Sequence, residues 1–149
     1  MLRIAAIAMM LTLAPASLPA RAADSTLEAN KATVVAFYDA AINRKDFAAA
    51  SQYLGPRYTQ HNPTAADGPA GLEKFLAFLR ERFPNAHSDI KRVFADGDFV
   101  ILHVHAMREP GTRGAAIVDI FKLENGKIVE HWDVRQDVPE TAANSNGMF

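Results

Sequence analysis

Residues 115–135 read Ala-Ala-Ile-Val-Asp-Ile-Phe-Lys-Leu-Glu-Asn-Gly-Lys-Ile-Val-Glu-His-Trp-Asp-Val-Arg, and this stretch decides the fold. Glu124-Asn125-Gly126 is a hairpin signal, because Asn and Gly tolerate the positive φ that a tight turn demands. It predicts antiparallel strands over 115–123 and 127–135. Upstream, Asp96-Gly97-Asp98 is a turn signal of the same kind between 87–95 and the strongly apolar run 99–107. A polar loop at 109–114 joins the two pairs. The second half therefore reads as consecutive antiparallel strands.

The first half follows a helical period instead. Ser25 and Glu28 fit a capping box and predict a helix start. Leu27, Val34, Val35, Tyr38 and Ile42 continue it as one apolar stripe, with an end near Asn43. Asp46 predicts the cap of a shorter helix running to Leu54 and stopped by Gly55-Pro56. Residues 58–62 read as an extended segment that enters a loop at Pro63. Asp67-Gly68-Pro69 opens a third helix, with proline where its missing N–H costs nothing. Leu72, Phe75, Leu76, Leu79 and Phe83 form its stripe, and Pro84 closes it. Helices first and strands afterwards describe an α+β domain with the sheet wrapped around the helices.

Bulk properties agree with one domain. The 149 residues are 49% hydrophobic and 22% charged, with a formal net charge of −1, which offers neither nucleic acid nor an anionic membrane a basic surface. Arg3, the apolar run from Ile4 to Leu13 and the small residues of Ala20-Arg21-Ala22 are the marks of an export signal. Cleavage is expected between Ala22 and Ala23, leaving residues 23–149 as a single domain. The apolar run is shorter than the roughly 20 residues that span a bilayer. A periplasmic or secreted product without membrane anchor is therefore expected. Loss of Arg3 and Arg21 would take the basic count from 16 to 14 against 17 acidic residues. There is no cysteine, which excludes disulfides and thiol nucleophiles. The tail after Pro139 is small and polar and is expected to be mobile.

Period two sorts the candidate site residues. In 99–107, Ile101, His103 and His105 share one face, and Leu102, Val104 and Ala106 the other. In 115–123, Ile117, Asp119 and Phe121 alternate against Val118, Ile120 and Lys122. Asp119 is an acid within an apolar run, costly there unless paired or functional. Three readings arise for Asp119 with His103 and His105. The first is a buried hydrogen-bonded pair that only stabilises the fold. The second is an acid/base site, in which burial raises the Asp119 pKa and a histidine polarises a carbonyl. The third is a metal site completed by His131. In the last strand His131 and Asp133 share a face opposite Glu130, Trp132 and Val134, and either set can face a pocket. Tyr58, Gln60, His61 and Asn62 form a polar and aromatic cluster before the loop. No Gly-x-Ser-x-Gly or phosphate-loop pattern occurs.

The segments Tyr58-Thr59-Gln60-His61-Asn62-Pro63, Asp67-Gly68, Val118-Asp119-Ile120-Phe121 and Asn125-Gly126-Lys127-Ile128-Val129-Glu130-His131-Trp132-Asp133 together resemble the SnoaL-like polyketide cyclases and their aldol-condensation relatives. These belong to the nuclear transport factor two-like superfamily, and the resemblance spans about residues 27–139. It implies a cone-shaped barrel, a curved and mainly antiparallel sheet over three N-terminal helices around one deep pocket. It also implies cofactor-independent acid/base chemistry on a small carbonyl compound, with Asp119 as acid and base and His105 assisting. His103 stands where those cyclases tend to carry an amide. By the same resemblance His61 and Asn62 line the pocket mouth, and His103, Tyr58, Phe121, His131 and Trp132 join them as substrate-binding candidates. Neither metal nor organic cofactor is implied. A homodimer formed through the exposed sheet face is expected. A binding protein that uses the same pocket without catalysis is the alternative.

Overall fold

A computed structural model describes residues 18–149, with side chains from Asp24 onward. The expected export segment lies outside the described residues as far as residue 17. The first helix, α1, runs over Leu18–Tyr38 and passes into a π-helical turn at Asp39–Asn43. Its end is where the apolar stripe stops, but its start lies upstream of the expected capping box, so Ser25 sits inside the helix. Helix α2 covers only Phe47–Ser51, and the Asp46 side chain accepts the Ala49 N–H as its cap. Leu54 does not belong to α2. It starts strand β1, Leu54–Gln60, which leads into helix α3 at Gly68–Arg82. No helix among the described residues is long and apolar enough to cross a membrane.

Four further strands follow, β2 (His87–Asp96), β3 (Phe99–Met107), β4 (Ala115–Glu124) and β5 (Lys127–Asp137). Both turn signals act as read. Asn125 and Gly126 take φ of 51° and 72°, and Gly97 takes 54°, the conformations that match a tight turn to the twist of its strands. The single sheet has the order β1-β5-β4-β3-β2 and is not closed. Strands β2 to β5 pair antiparallel, whereas β1 lies parallel to β5. That parallel edge was not expected, because residues 58–62 are too short and polar to show a strand pattern. Gly55 permits the close approach. A Cβ there would stand 2.7 Å from Val129 Cγ1.

One sheet face is covered by the helices. Val100, Leu102, Val104, Phe121, Leu123 and Ile128 project from the sheet into the core, and Val34, Phe37, Leu72, Leu76 and Leu79 meet them from α1 and α3. Each large apolar side chain buried in this way contributes roughly 1.5–3 kcal/mol. Strand-period alternation and helix-period stripes therefore close on the same core. The tail after β5 has neither helix nor strand. Its last residue, Phe149, nevertheless packs on the outer face of the sheet, where its ring stacks on His105 at 4.3 Å and His103 at 5.5 Å.

Candidate functional site

Register decides which polar side chains meet, because directly opposed residues of an antiparallel pair share a face. Asp119 is paired with Leu102 on β3 and with Asp133 on β5. It therefore points into the core with Leu102. His103 and His105 are paired with Val118 and Ala116 and project from the opposite face. The expected grouping of His103, His105 and Asp119 is not formed, nor is a metal site made from them. His103 Nδ1 accepts from Arg92 at 2.8 Å, and His105 Nε2 donates to the Arg113 carbonyl at 2.8 Å. Both histidines are satisfied where they stand, away from the pocket.

His61 and Trp132 also lie outside. Their rings stack at 4.3 Å and only 2° from parallel, and His61 Nε2 reaches Glu130 Oε2 at 3.2 Å. The last strand thus resolves in favour of His131 and Asp133 as its inner set. Tyr58, Asn62, Asp119, Phe121 and His131 line one cavity of about 220 Å³ beneath the helices. They are joined there by Tyr38, Gln60 and Asp133. Tyr38 reads as one more residue of an apolar stripe, so only the π-helical turn that follows it distinguishes the position. Such turns recur at functional sites.

The centre of the cavity is a buried dyad. His131 Nε2 stands 3.1 Å from Asp119 Oδ1, and the two residues are 8% and 5% exposed. The orientation of His131 is set from its other nitrogen. Asn62 N donates to Gln60 Oε1 at 2.9 Å, which marks that atom as a carbonyl oxygen, and His131 Nδ1 meets the same atom at 3.1 Å. Nδ1 therefore carries a hydrogen, and a single further proton is shared between Nε2 and the Asp119 carboxyl. Burial pushes the Asp119 pKa up, His131 opposes the rise, and the nearby Asp133 charge adds to it. Tyr38 approaches closely enough to oppose the rise as well. Even so, Asp119 Oδ2 has no hydrogen-bond partner among the described residues. A buried acceptor without a partner is costly in a folded chain and marks a place where chemistry can occur.

Around the dyad the polar groups are held rather than free. Asn62 Nδ2 donates to both oxygens of Asp133, at 2.7 and 2.8 Å, while its Oδ1 accepts from the Thr64 N–H and hydroxyl. Tyr58 stacks 6.5 Å from the His131 ring and receives a long 3.4 Å contact from Gln60 Nε2. Its own O–H hydrogen is not used by Gln60. Burial first, then the charges of Asp119 and Asp133, raise the Tyr58 pKa, and the same two causes raise that of Tyr38. Both phenols stay protonated donors at any ordinary pH. Asp119, His131 and Asp133 present ligand atoms within 4.8 Å of one another, a spacing that suits a cation. Their hydrogen bonds to each other, to Gln60 and to Asn62 already engage most of those atoms, which fits proton transfer better than metal ligation.

The SnoaL-like domain family matches residues 34–131, a span that runs from α1 through the dyad to His131. No curated protein matches the chain. Among solved structures, AclR, a candidate hydroxylase from Streptomyces galilaeus, aligns with TM-score 0.62 at 22% identity, covering 76% of this chain and 82% of that one. A candidate polyketide cyclase from Bacillus cereus aligns with TM-score 0.60 at 22% identity over 72% of this chain and 74% of that one. A cystatin-fold protein from Novosphingobium aromaticivorans gives TM-score 0.61 at 24% identity over 71% and 97%. These likenesses show the fold, a curved sheet over helices.

Proposed function

The chain belongs to the SnoaL-like domain family, and from that premise we propose that it is a cofactor-independent acid/base enzyme acting on a small carbonyl compound. The observation that carries this reading is the buried Asp119–His131 pair, with Asp119 Oδ2 unpartnered beside the cavity. Asp119 removes a proton from the carbon next to the carbonyl, and the resulting acid returns it at the product stage. His131 takes the place expected for His105, holding Asp119 through Nε2 and sharing its proton. Tyr58, kept protonated by burial, donates its free O–H to the oxygen that becomes enolate-like. Aldol ring closure, retro-aldol cleavage and isomerisation all pass through that enolate, and the cyclases of the fold fit the first.

The test needs no knowledge of the full substrate. Small ketones and β-dicarbonyl compounds incubated in deuterated water with the protein should exchange their α-hydrogens faster than without it, as followed by NMR. Asp119→Asn should abolish the acceleration. Equal exchange by the variant excludes Asp119 as the base. Unaltered retention of a bound ligand, with no exchange, selects the binding-protein alternative instead.

Two further parts of the reading concern the molecule's surroundings. Export with cleavage after Ala22 predicts a secreted or periplasmic protein whose N-terminal sequence begins at Ala23. The outer sheet face exposes Val134 (69%), Phe94 (55%), Phe99 (41%) and Val118 (39%), and this apolar surface supports a homodimer. Sedimentation at the mass of one chain removes the dimer.

A further inference from the structure

The inner sheet residues change character with depth. Along the β4–β5 ladder the inward pairs are Phe121 with His131, Asp119 with Asp133, then Ile117 with Arg135. Phe121 is 2% exposed at the deep end, whereas Arg135 is exposed at the other. Arg108, one residue beyond the end of β3, lines the cavity together with Arg135 and Ile117. A second depression opens outward from this mouth, shares these three residues and adds Arg113 together with the acids Glu109, Asp137 and Glu140.

The two mouth arginines differ in what they touch. Arg135 Nη2 is bound to Asp137 Oδ1 at 2.5 Å. Arg108 has no carboxylate partner among the described residues, and its guanidinium carbon stands 5.6 Å from the centre of the Phe83 ring. A guanidinium lying on an aromatic ring keeps its planar fork of donors available. Between mouth and dyad the wall is apolar, with Ile117, Phe75 and Leu79. At the deep end the charge is acidic, so an anionic group is repelled there.

We propose that the substrate carries a carboxylate, which docks on Arg108 while its carbonyl reaches Tyr58 and the Asp119–His131 pair. The inference rests on the acid/base reading of the site and names its substrate class. An unpaired guanidinium within the cavity itself suits a carboxylate, which it binds through two parallel N–H bonds. Arg113, also without a carboxylate partner among the described residues, lines only the outer depression. Within the cavity, arginines at the mouth and carboxylates at depth favour one orientation of such a molecule. Arg108 is then a specificity-determining residue, and it takes no part in proton transfer.

Matched pairs of keto acids and their methyl esters, levulinic and benzoylpropionic, serve as probes in ligand-observed NMR titrations at low and high salt. The protein should bind each acid about tenfold or more tightly than its ester, as expected for a charge-assisted hydrogen bond, with the preference shrinking in salt. Arg108→Gln should bring acid and ester within about twofold of one another, while Arg108→Lys should keep part of the preference. Asp119→Asn should retain it in full, so failure of the catalytic reading and failure of this one are distinguishable. Equal binding of acids and esters, no binding of either, or a preference that survives Arg108→Gln overturns the proposal.

Discussion

Asn62 holds both carboxylate oxygens of Asp133 through a single amide nitrogen, at 2.7 and 2.8 Å. The contact ties the end of β1 to β5 and fixes a second carboxylate beside Asp119, its cross-strand neighbour. Asp133 is thereby a positioning residue. Its charge raises the Asp119 pKa, keeping the dyad's proton available.

Asp133→Asn removes that charge while leaving an oxygen to accept from Asn62. The Asp119 pKa should fall, and the acid limb of the rate profile should move to lower pH. The size of kcat on the plateau should change less than the limb position. A pH profile of α-hydrogen exchange checks this, and an unmoved limb would show that Asp133 does not act on Asp119.

The raised Asp119 pKa also has a sign in folding. The folded chain holds the proton at pH values where the unfolded chain has released it, so its contribution to stability is fully present below the ordinary aspartate range. It is lost as pH rises through the folded value. Asp119→Asn carries no such proton and should flatten this part of the stability curve, becoming relatively more stable than the parent towards neutral pH. Urea midpoints across the acid range measure it. Parallel curves for the two proteins would contradict the burial penalty.

Tyr58→Phe keeps the ring stacked on His131 and removes only the donor. Exchange or turnover should drop by roughly 10²–10³, the usual cost of one donor to a developing oxyanion. Stability should change little, since the Tyr58 hydroxyl receives only one 3.4 Å contact. A drop below threefold would remove Tyr58 from the reaction.

His103→Gln and His105→Gln should leave α-hydrogen exchange within about twofold, because both side chains project from the far face of the sheet. His131→Gln should instead lose most activity. If His105→Gln were as damaging as His131→Gln, the outer face would have to communicate with the cavity.

The contrast between these histidines shows how far the sequence could be read. Asn125-Gly126 and Gly97 gave their hairpins because the required φ admits few other residues. The alternation of Ile117, Asp119 and Phe121 correctly showed that these three travel together. Alternation alone does not say which face of one strand matches which face of the next. That depends on register, set by turn geometry and by the shift in the β4–β5 ladder between Lys122 and Leu123. A slip of one residue exchanges the faces entirely, and it is why His105 seemed to belong with Asp119 when His131 does. Tyr58 and Asn62 were legible as polar residues before a proline, though nothing nearby announced the β1–β5 pairing that brings them in.

That parallel edge gives the order of synthesis a particular weight. Strand β1 ends at Gln60, and its partner β5 ends at Asp137. On the ribosome, β1 and the helices leave the exit tunnel long before anything exists for β1 to pair with. Contacts that close so long a loop form late. The cavity is therefore completed only at the end of the chain. His131 and Asp133 emerge with the last strand, and until then β1 has no partner strand and Asp119 has no histidine beside it, although β2, β3 and β4 can already pair and cover the helices.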